Sequence, residues 1–160
     1  MLENAIRPLH PGDAPVLAKL LATQRADYIA HFTPFEFDER TVAELLSTVR
    51  RDRFWALCTD GEIAGFFMLR GFDAGYARPS YGVFVAEHAA GRGLARESLR
   101  FALEWCAENG VESVLLKVAR ENQRARGIYI AAGFEFVGIC PATGHEMLEK
   151  RMQPAEKSCP

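Results

Sequence analysis

The sequence has few of the features that mark specialised classes of protein. It has four cysteines and no CxxC pair, and the apolar surroundings of Cys58 and Cys106 predict reduced packing residues. Its formal net charge of −2 lacks the basic excess of a nucleic-acid binder, so we expect no DNA or RNA partner. No apolar run is long enough to span a membrane, and the opening residues lack the pattern of a secretion signal. We therefore expect a cytoplasmic protein with no membrane partner.

The rest of the composition is that of an ordinary globular protein. Apolar residues make up 49% of the chain and charged residues 25%, and 160 residues are enough for one domain with a hydrophobic core. We expect a single domain over residues 1–152 and a flexible tail over residues 153–160. The four histidines are scattered and do not combine with cysteines at a zinc-binding spacing, so no metal is expected.

Hydrophobic periodicity and turn residues predict a mixed α+β fold with the element order β-α-α-β-β-β-α-β-α-β-β. Asp13 is predicted to cap the first helix, with Pro15 in its first turn. Asp60-Gly61 is the turn of a predicted hairpin. A longer helix is predicted from Leu94 to Asn109, and Gly110 is its expected stop.

The segment AAGRGLARESL, from Ala89 to Leu99, places two glycines directly before that longer helix. A helix N-terminus presents free backbone N–H groups and a partial positive charge, and Gly91 and Gly93 remove side chains that would block a ligand. The segment therefore predicts an anion site, although a tight turn alone would use the same glycines. Leu94 follows the second glycine, so the loop is not a Walker A loop, and Arg96 stands where a Rossmann loop has its third glycine.

A second pattern lies about thirty residues downstream, in NQRARGIYIAAGF. Asn122 and Tyr129 are two helical turns apart and share a face of the predicted helix. Taken singly, Asn122 is typical of an N-cap and Tyr129 of a core aromatic residue. Together with the glycine loop, the pattern N-x-x-A-x-x-x-Y-x-x-x-G-F favours a functional site.

From Ser80 to Val137 the chain resembles the GNAT superfamily of acyl-CoA-dependent N-acetyltransferases. The family's loop motif, Gln/Arg-x-x-Gly-x-Gly/Ala, falls on residues 90–95, where Ala90 replaces the leading Gln or Arg. The resemblance implies a single α+β domain with a twisted, mostly antiparallel sheet that is splayed at its central strands and flanked by helices. It also implies acetyl-CoA as cosubstrate and direct acetyl transfer to a primary amine.

The resemblance also assigns roles to individual residues. Backbone amides of the glycine loop would hold the pyrophosphate of coenzyme A, and the central strand would pair with its pantetheine arm. Asn122 would hydrogen-bond that arm, and Tyr129 would act as general acid on the departing sulfur. The N–H of Val85 would donate to the oxyanion. The implied cofactor-binding residues are Val83, Phe84, Val85, Gly91, Arg92, Gly93, Leu94, Ala95, Arg96, Asn122 and Tyr129.

The general base is the point at which the chain departs from the family. Some members carry Glu five residues before the motif asparagine, and that position is Lys117 here. Asp73 and His31 are the leading substitutes, ahead of Glu87, His88 or a water molecule. Each of these residues is also typical of a turn or an exposed surface. Arg92, Arg124 and Arg126 are candidates for phosphate contacts or, alternatively, solvated surface side chains.

The acceptor is predicted to be a small-molecule amine. The block R-G-x-D-x-G-Y…P-S over residues 70–80 resembles family members that act on nucleotide-linked amino sugars, although its glycines and Asp73 are equally typical of a β-turn. The alternatives are acetylation of a protein N-terminus or lysine, and a non-catalytic acyl-CoA-binding module. The aromatic segment over residues 31–37 is either part of the acceptor wall or core between helices. The resemblance further implies that a homodimer can form.

Overall fold

The computed structural model describes residues 3–30, 32 and 34–153. His31, a predicted base, lies outside the described residues, as do residues 154–160 of the predicted tail. The described chain forms five helices, two short 3-10 turns and seven strands. In chain order they are β1 (Asn4–Pro8), a 3-10 turn (Pro11–Asp13), α1 (Ala14–Ala22), α2 (Ala26–Ile29), α3 (Glu39–Thr48), β2 (Arg53–Thr59), β3 (Glu62–Arg70), β4 (Ser80–Val85), a 3-10 turn (Glu87–Ala89), α4 (Leu94–Glu108), β5 (Ser113–Val118), α5 (Gln123–Ala131), β6 (Glu135–Ile139) and β7 (Glu146–Arg151).

The strands form one seven-stranded sheet in the order β1-β2-β3-β4-β5-β7-β6. The pairing is mostly antiparallel, with β4 and β5 parallel. The predicted α+β class and element order are therefore confirmed, with the four-residue helix α2 as an addition. A helix this short has no periodic apolar stripe, which is why the sequence did not indicate it.

The described residues fall into two compact units, within Met1–Met68 plus Val83–Ser98 and within Leu69–Gly82 plus Leu99–Pro160. The core of the first unit lies where the apolar faces of α1 and α3 are buried with β2, β3 and β4. Phe32 packs against Phe66 and Phe84, with ring centroids 5.6 Å apart in both pairs. Phe35 and Phe37 also pack against this core, so the described aromatic residues of the 31–37 segment belong to the core.

Asp13 occupies the N-cap position of α1, and Pro15 lies in the first turn as predicted. The predicted N-cap is thus confirmed, although the Asp13 carboxylate makes no hydrogen bond to an amide of α1. It accepts hydrogen bonds from the Arg7 guanidinium, 2.9 Å from each carboxylate oxygen, and from the His10 amide at 2.8 Å. A bidentate, charge-assisted hydrogen bond is stronger than a hydrogen bond to a backbone amide. The hydrogen bonds from Arg7 lower the pKa of the Asp13 carboxyl.

The second unit contains β5, β7, β6, α5 and most of α4. Its buried apolar residues include Leu99, Ala102 and Cys106, which lie on one face of α4. Gly110 follows the helix with φ +71°, and the Val111 amide bonds the Cys106 carbonyl at 2.9 Å, which confirms the predicted stop. Cys58, Cys106 and Cys140 are free, so none of the described cysteines is in a disulfide.

Candidate active site

The glycine loop connects the end of β4 to the start of α4. Gly91 and Gly93 have φ of +80° and +82°, a left-handed conformation that favours glycine. A Cβ added at Gly93 would have no heavy atom within 4 Å. Backbone conformation rather than packing therefore requires this glycine, and the space beside it is open to a ligand.

The first turn of α4 leaves its backbone donors available. The first helical hydrogen bond runs from the Glu97 amide to the Gly93 carbonyl at 3.0 Å. The amides of Leu94, Ala95 and Arg96 therefore precede the bonded part of the helix. Gly91, Arg92 and Gly93 are exposed, and the Leu94 side chain is buried and anchors the turn. Exposed N–H groups at the positive end of a helix dipole suit a phosphate group.

The last residues of β4 present backbone groups on both edges of the strand. The Ala86 amide bonds the Ala64 carbonyl at 2.8 Å, so it faces β3. Backbone groups alternate along a strand, so the N–H and C=O of Val85 face the opposite edge. The ladder with β5 includes only Ser80 and Tyr81 of β4. The edge of Val85 therefore lies beyond that ladder.

Gly65 in β3 is a residue that the sequence analysis missed. A Cβ at Gly65 would collide with the carbonyl oxygen of Phe84 and would lie 3.0 Å from Cα of Val85. Only glycine permits β3 to approach the end of β4 this closely. A glycine within an apolar strand was the available signal, because it often marks a close backbone approach.

Tyr28 of α2 contacts β4 at Val85, and the sequence did not indicate this contact either. Its hydroxyl donates to the Val85 carbonyl oxygen at 2.6 Å, and its ring lies edge-on to Phe84. Burial and the charge of Glu87 raise the pKa of the Tyr28 hydroxyl. The hydroxyl is therefore a stable hydrogen-bond donor at neutral pH.

Two further contacts join the residues just before α2 to Glu87, which follows β4. The Arg25 guanidinium pairs with both carboxylate oxygens of Glu87, at 3.0 and 2.7 Å. The Glu87 amide donates to Oε1 of Gln24 at 3.1 Å. Glu87, one of the substitute bases, is thus bound in an ion pair, which disfavours it as a proton acceptor. An open groove of about 450 Å³ lies beside these contacts, lined by Leu20, Thr23, Gln24, Arg25, Glu87 and His88.

In the second unit, Asn122 is the N-cap of α5. Its side-chain oxygen accepts from the Ala125 amide at 3.2 Å, as expected of a capping asparagine. Its side-chain amide NH₂ is not used in the cap and remains the group that could donate to a ligand. The capping role is confirmed, and the contact with pantetheine stays a prediction.

Tyr129 lies on α5 among aromatic rings. Its ring meets Tyr81 edge-on at 6.3 Å and Phe134 at 6.0 Å, measured between centroids. Burial raises the pKa of Tyr129 to about 12. The phenol is therefore protonated at neutral pH, as a hydrogen-bond donor must be.

The other predicted site residues occupy different settings. Asp73 is exposed in a turn in which the Tyr76 amide bonds the Gly71 carbonyl at 3.0 Å, so the turn interpretation of the 70–80 block is confirmed. Lys117 is exposed on β5. Arg126 pairs with Glu146 at 2.6 Å and is therefore engaged within its own unit rather than solvated.

The structure adds two statements on metals and membranes. Within residues 3–30, 32 and 34–153, no cluster of three His, Cys, Asp or Glu side chains could hold a metal ion. None of the described helices is both long and apolar enough to cross a membrane.

Comparison with known families agrees with the fold and the loop. The sequence model described as "Acetyltransferase (GNAT) family" matches residues 17–134, which is more than half of the chain. This chain belongs to the GNAT acetyltransferase family. The predicted family is thereby confirmed, and the matched range includes the glycine loop, Asn122 and Tyr129.

One named relative is similar to part of the chain. The uncharacterized N-acetyltransferase YobR of Bacillus subtilis is 33% identical over 69 residues, which are 43% of this chain and 26% of that protein. The match therefore spans about a quarter of that relative.

Solved GNAT structures share the fold over nearly the whole chain. The ribosomal-protein-S18-alanine N-acetyltransferase of Escherichia coli has a TM-score of 0.73 at 17% identity, covering 99% of both chains. The PaiA N-acetyltransferase of Thermoplasma acidophilum, solved in complex with coenzyme A, has a TM-score of 0.74 at 15% identity, covering 93% of this chain and 99% of that one. At these identities the similarity shows the fold alone.

Proposed function

We propose that this GNAT protein is an acetyl-CoA-dependent N-acetyltransferase that moves the acetyl group directly to a primary amine. The exposed glycine turn at the start of α4 is the observation that carries the proposal. It offers amides that precede the first hydrogen bond within the helix, and such a helix N-terminus suits a pyrophosphate. The family match adds the class of reaction.

The cofactor-binding residues are proposed as follows. Amides of residues 91–96 hold the pyrophosphate, and the strand segment Val83-Phe84-Val85 runs along the pantetheine arm. The backbone groups of Val83 and Val85 face the arm, because those of Phe84 and Ala86 face β3. The side-chain NH₂ of Asn122 donates to a carbonyl of that arm. The Val85 N–H faces the edge of β4 opposite β3, which supports its role as donor to the oxyanion.

The reaction forms one C–N bond and breaks one C–S bond. The neutral amine attacks the thioester carbonyl carbon, and the resulting tetrahedral oxyanion accepts a hydrogen bond from Val85. The oxyanion then collapses and expels the thiolate of coenzyme A. The attacking nitrogen loses one proton to a base, for which Asp73 and His31 are the proposed groups.

Tyr129 is proposed to neutralise the departing sulfur. A free alkyl thiol has a pKa of about 8.5, whereas burial raises the pKa of Tyr129 to about 12. Tyr129 therefore gives up its proton fully only to a thiolate that is itself buried, because burial raises the pKa of a thiol as well. Before that transfer its O–H stabilises the developing negative charge by donating a hydrogen bond.

The proposed acceptor is a small-molecule amine, and a nucleotide-linked amino sugar is the first candidate. A groove of about 450 Å³ beside the end of β4 is in the size range of small-molecule sites. A cationic peptide would favour an acidic groove, but here Arg25 neutralises Glu87. These two observations favour a small molecule over a protein.

The proposal extends to location and assembly. We propose that the protein acts in the cytoplasm, where the free state of Cys58, Cys106 and Cys140 is the stable one. A homodimer is proposed from the family resemblance, and a sedimentation velocity experiment on the purified protein would test it.

Release of free thiol from acetyl-CoA tests the proposed function. The panel of amines contains nucleotide-linked amino sugars, polyamines, amino acids and short peptides, with Tyr129→Phe as control. We expect release that depends on both Tyr129 and an amino sugar. Release with peptides alone would assign the protein to protein acetylation. Tight acetyl-CoA binding without release by any amine would favour the non-catalytic module.

A further inference from the structure

The edge of β4 opposite β3 has one side-chain contact that the proposed reaction does not use. The Tyr28 hydroxyl donates to the Val85 carbonyl oxygen at 2.6 Å. We infer that Tyr28 is an acceptor-binding residue, whose hydroxyl oxygen receives an N–H of the amine beside Val85. The inference rests on the proposed function and deepens it.

The position of the Tyr28 hydroxyl supports this role. The N–H and C=O of one residue in a strand face the same edge. The Tyr28 hydroxyl therefore lies on the edge where the Val85 N–H is proposed to bind the oxyanion. An amine that attacks the thioester carbonyl must approach along the same edge.

The hydrogen-bonding capacity of the Tyr28 hydroxyl also supports this role. A phenol hydroxyl has one O–H donor and two acceptor lone pairs. The donor is taken by Val85, so the lone pairs are left to accept from a group that binds next to this carbonyl. Because the oxygen is neutral, it stabilises the ammonium form of the amine much less than a carboxylate would. The nitrogen lone pair then remains available for attack on the carbonyl carbon.

The surrounding contacts fix the hydroxyl in place. The ring of Tyr28 lies edge-on to Phe84, with centroids 6.5 Å apart and planes at 79°. Arg25, three residues earlier, is tied to Glu87 through both guanidinium contacts. Gln24 accepts from the Glu87 amide. The start of α2 is thus fastened to the residues after β4, and Tyr28 is held over Val85.

The groove supplies room for the rest of the acceptor. Gln24, Arg25 and Glu87, the residues that fasten α2, are among those that line it. An amine held at Tyr28 can place a polar body of small-molecule size there. The inferred acceptor is therefore a primary amine on a small polar molecule.

Tyr28→Phe tests the inference, because it removes the hydroxyl and keeps the ring against Phe84. We expect kcat/KM for the amine to fall by about tenfold or more, which is the effect of one lost hydrogen bond to substrate. The KM and binding affinity for acetyl-CoA should stay within about twofold of wild type. Ser47→Ala is the matched control, since the Ser47 hydroxyl also donates to a backbone carbonyl, that of Ala43 at 2.7 Å on α3.

A merely structural role of Tyr28 predicts a different pattern. In that case Tyr28→Phe would lower the melting temperature and weaken the amine and acetyl-CoA alike. Either that pattern or wild-type amine kinetics in Tyr28→Phe would overturn the inference and leave the proposed function standing. Absence of transfer by the wild type with every amine would overturn the proposed function, and this inference with it.

Discussion

The ring of Tyr129 lies edge-on to the ring of Tyr81, with centroids 6.3 Å apart and planes at 80°. Removal of the Tyr129 hydroxyl alone keeps this ring contact. We predict that Tyr129→Phe lowers kcat by about 10²–10⁴-fold, the usual contribution of a general acid, with nearly unchanged acetyl-CoA affinity. Steady-state kinetics and titration calorimetry check both quantities. Wild-type turnover in the variant would show that Tyr129 is not the acid.

The raised pKa of Tyr129 also makes a prediction about pH. The ordinary pKa is 10.0 and burial raises it to about 12, so the protonated, active form persists throughout the neutral and mildly alkaline range. Loss of the Tyr129 proton should therefore reduce kcat/KM only as the pH approaches about 12. If kcat/KM already falls as the pH rises toward ~9, another group must be losing a proton. The same fall should then be seen in the residual activity of Tyr129→Phe.

The glycine loop predicts a charge-dependent effect at Gly93. Asparagine tolerates positive φ better than most residues, and a Cβ at Gly93 has no heavy atom within 4 Å. Gly93→Asn should therefore fold and bind coenzyme A moderately more weakly. Gly93→Asp places a negative charge at the proposed phosphate site and should bind at least about tenfold more weakly than Gly93→Asn. The difference should shrink with added salt.

Titration calorimetry at low and high salt makes this comparison. If the two variants bound coenzyme A equally well, the anion would not lie at this loop. Equal and complete loss of binding with intact melting curves would instead mean that the site requires glycine for space alone.

Two variants of Asn122 distinguish its role in helix capping from its proposed role in ligand binding. Asn122→Ala should destabilise the protein by about 1 kcal/mol, because the Ala125 amide loses its partner. Asn122→Asp keeps a capping oxygen but removes the NH₂ donor. We predict near wild-type melting for Asn122→Asp together with weaker binding of acetyl-CoA. Unchanged binding in Asn122→Asp would restrict Asn122 to its capping role.

The close approach of β3 to β4 at Gly65 predicts a loss of stability in Gly65→Ala, and Gly127→Ala serves as its control. Gly65→Ala forces the strands apart at Phe84 and should cost about 1–3 kcal/mol of unfolding free energy. Gly127, within α5, has space for a Cβ, so Gly127→Ala should stabilise by about 0.5–1 kcal/mol. Urea unfolding of the two variants measures both. An unchanged midpoint for Gly65→Ala would mean that β3 and β4 can shift freely.

Local signals predicted most of the fold and part of the site. Residues within a few helical turns of each other are enough to predict three features: the start of α4, its stop at Gly110, and the position of Tyr129 on a helix. Periodicity and turn residues carry such local information well.

The contacts that the sequence did not indicate are long-range. Tyr28 and Val85 are 57 residues apart, and nothing in the neighbourhood of either residue marks the pair. Asp13 is the N-cap of α1 as predicted, but its carboxylate binds Arg7 of β1 and no amide of the helix. A charged partner brought in by the fold overrides a local preference, and no propensity scale contains it.

Transfer of a labelled acetyl group tests the central claim most directly. The wild-type protein is incubated with acetyl-CoA labelled in its acetyl carbons and with each amine, and the acceptor is analysed by mass spectrometry. We predict the label in an amide of a small amine, at a rate that Tyr129→Phe reduces strongly. Acetyl-CoA that binds at the glycine loop but leaves its label on no amine would contradict the account.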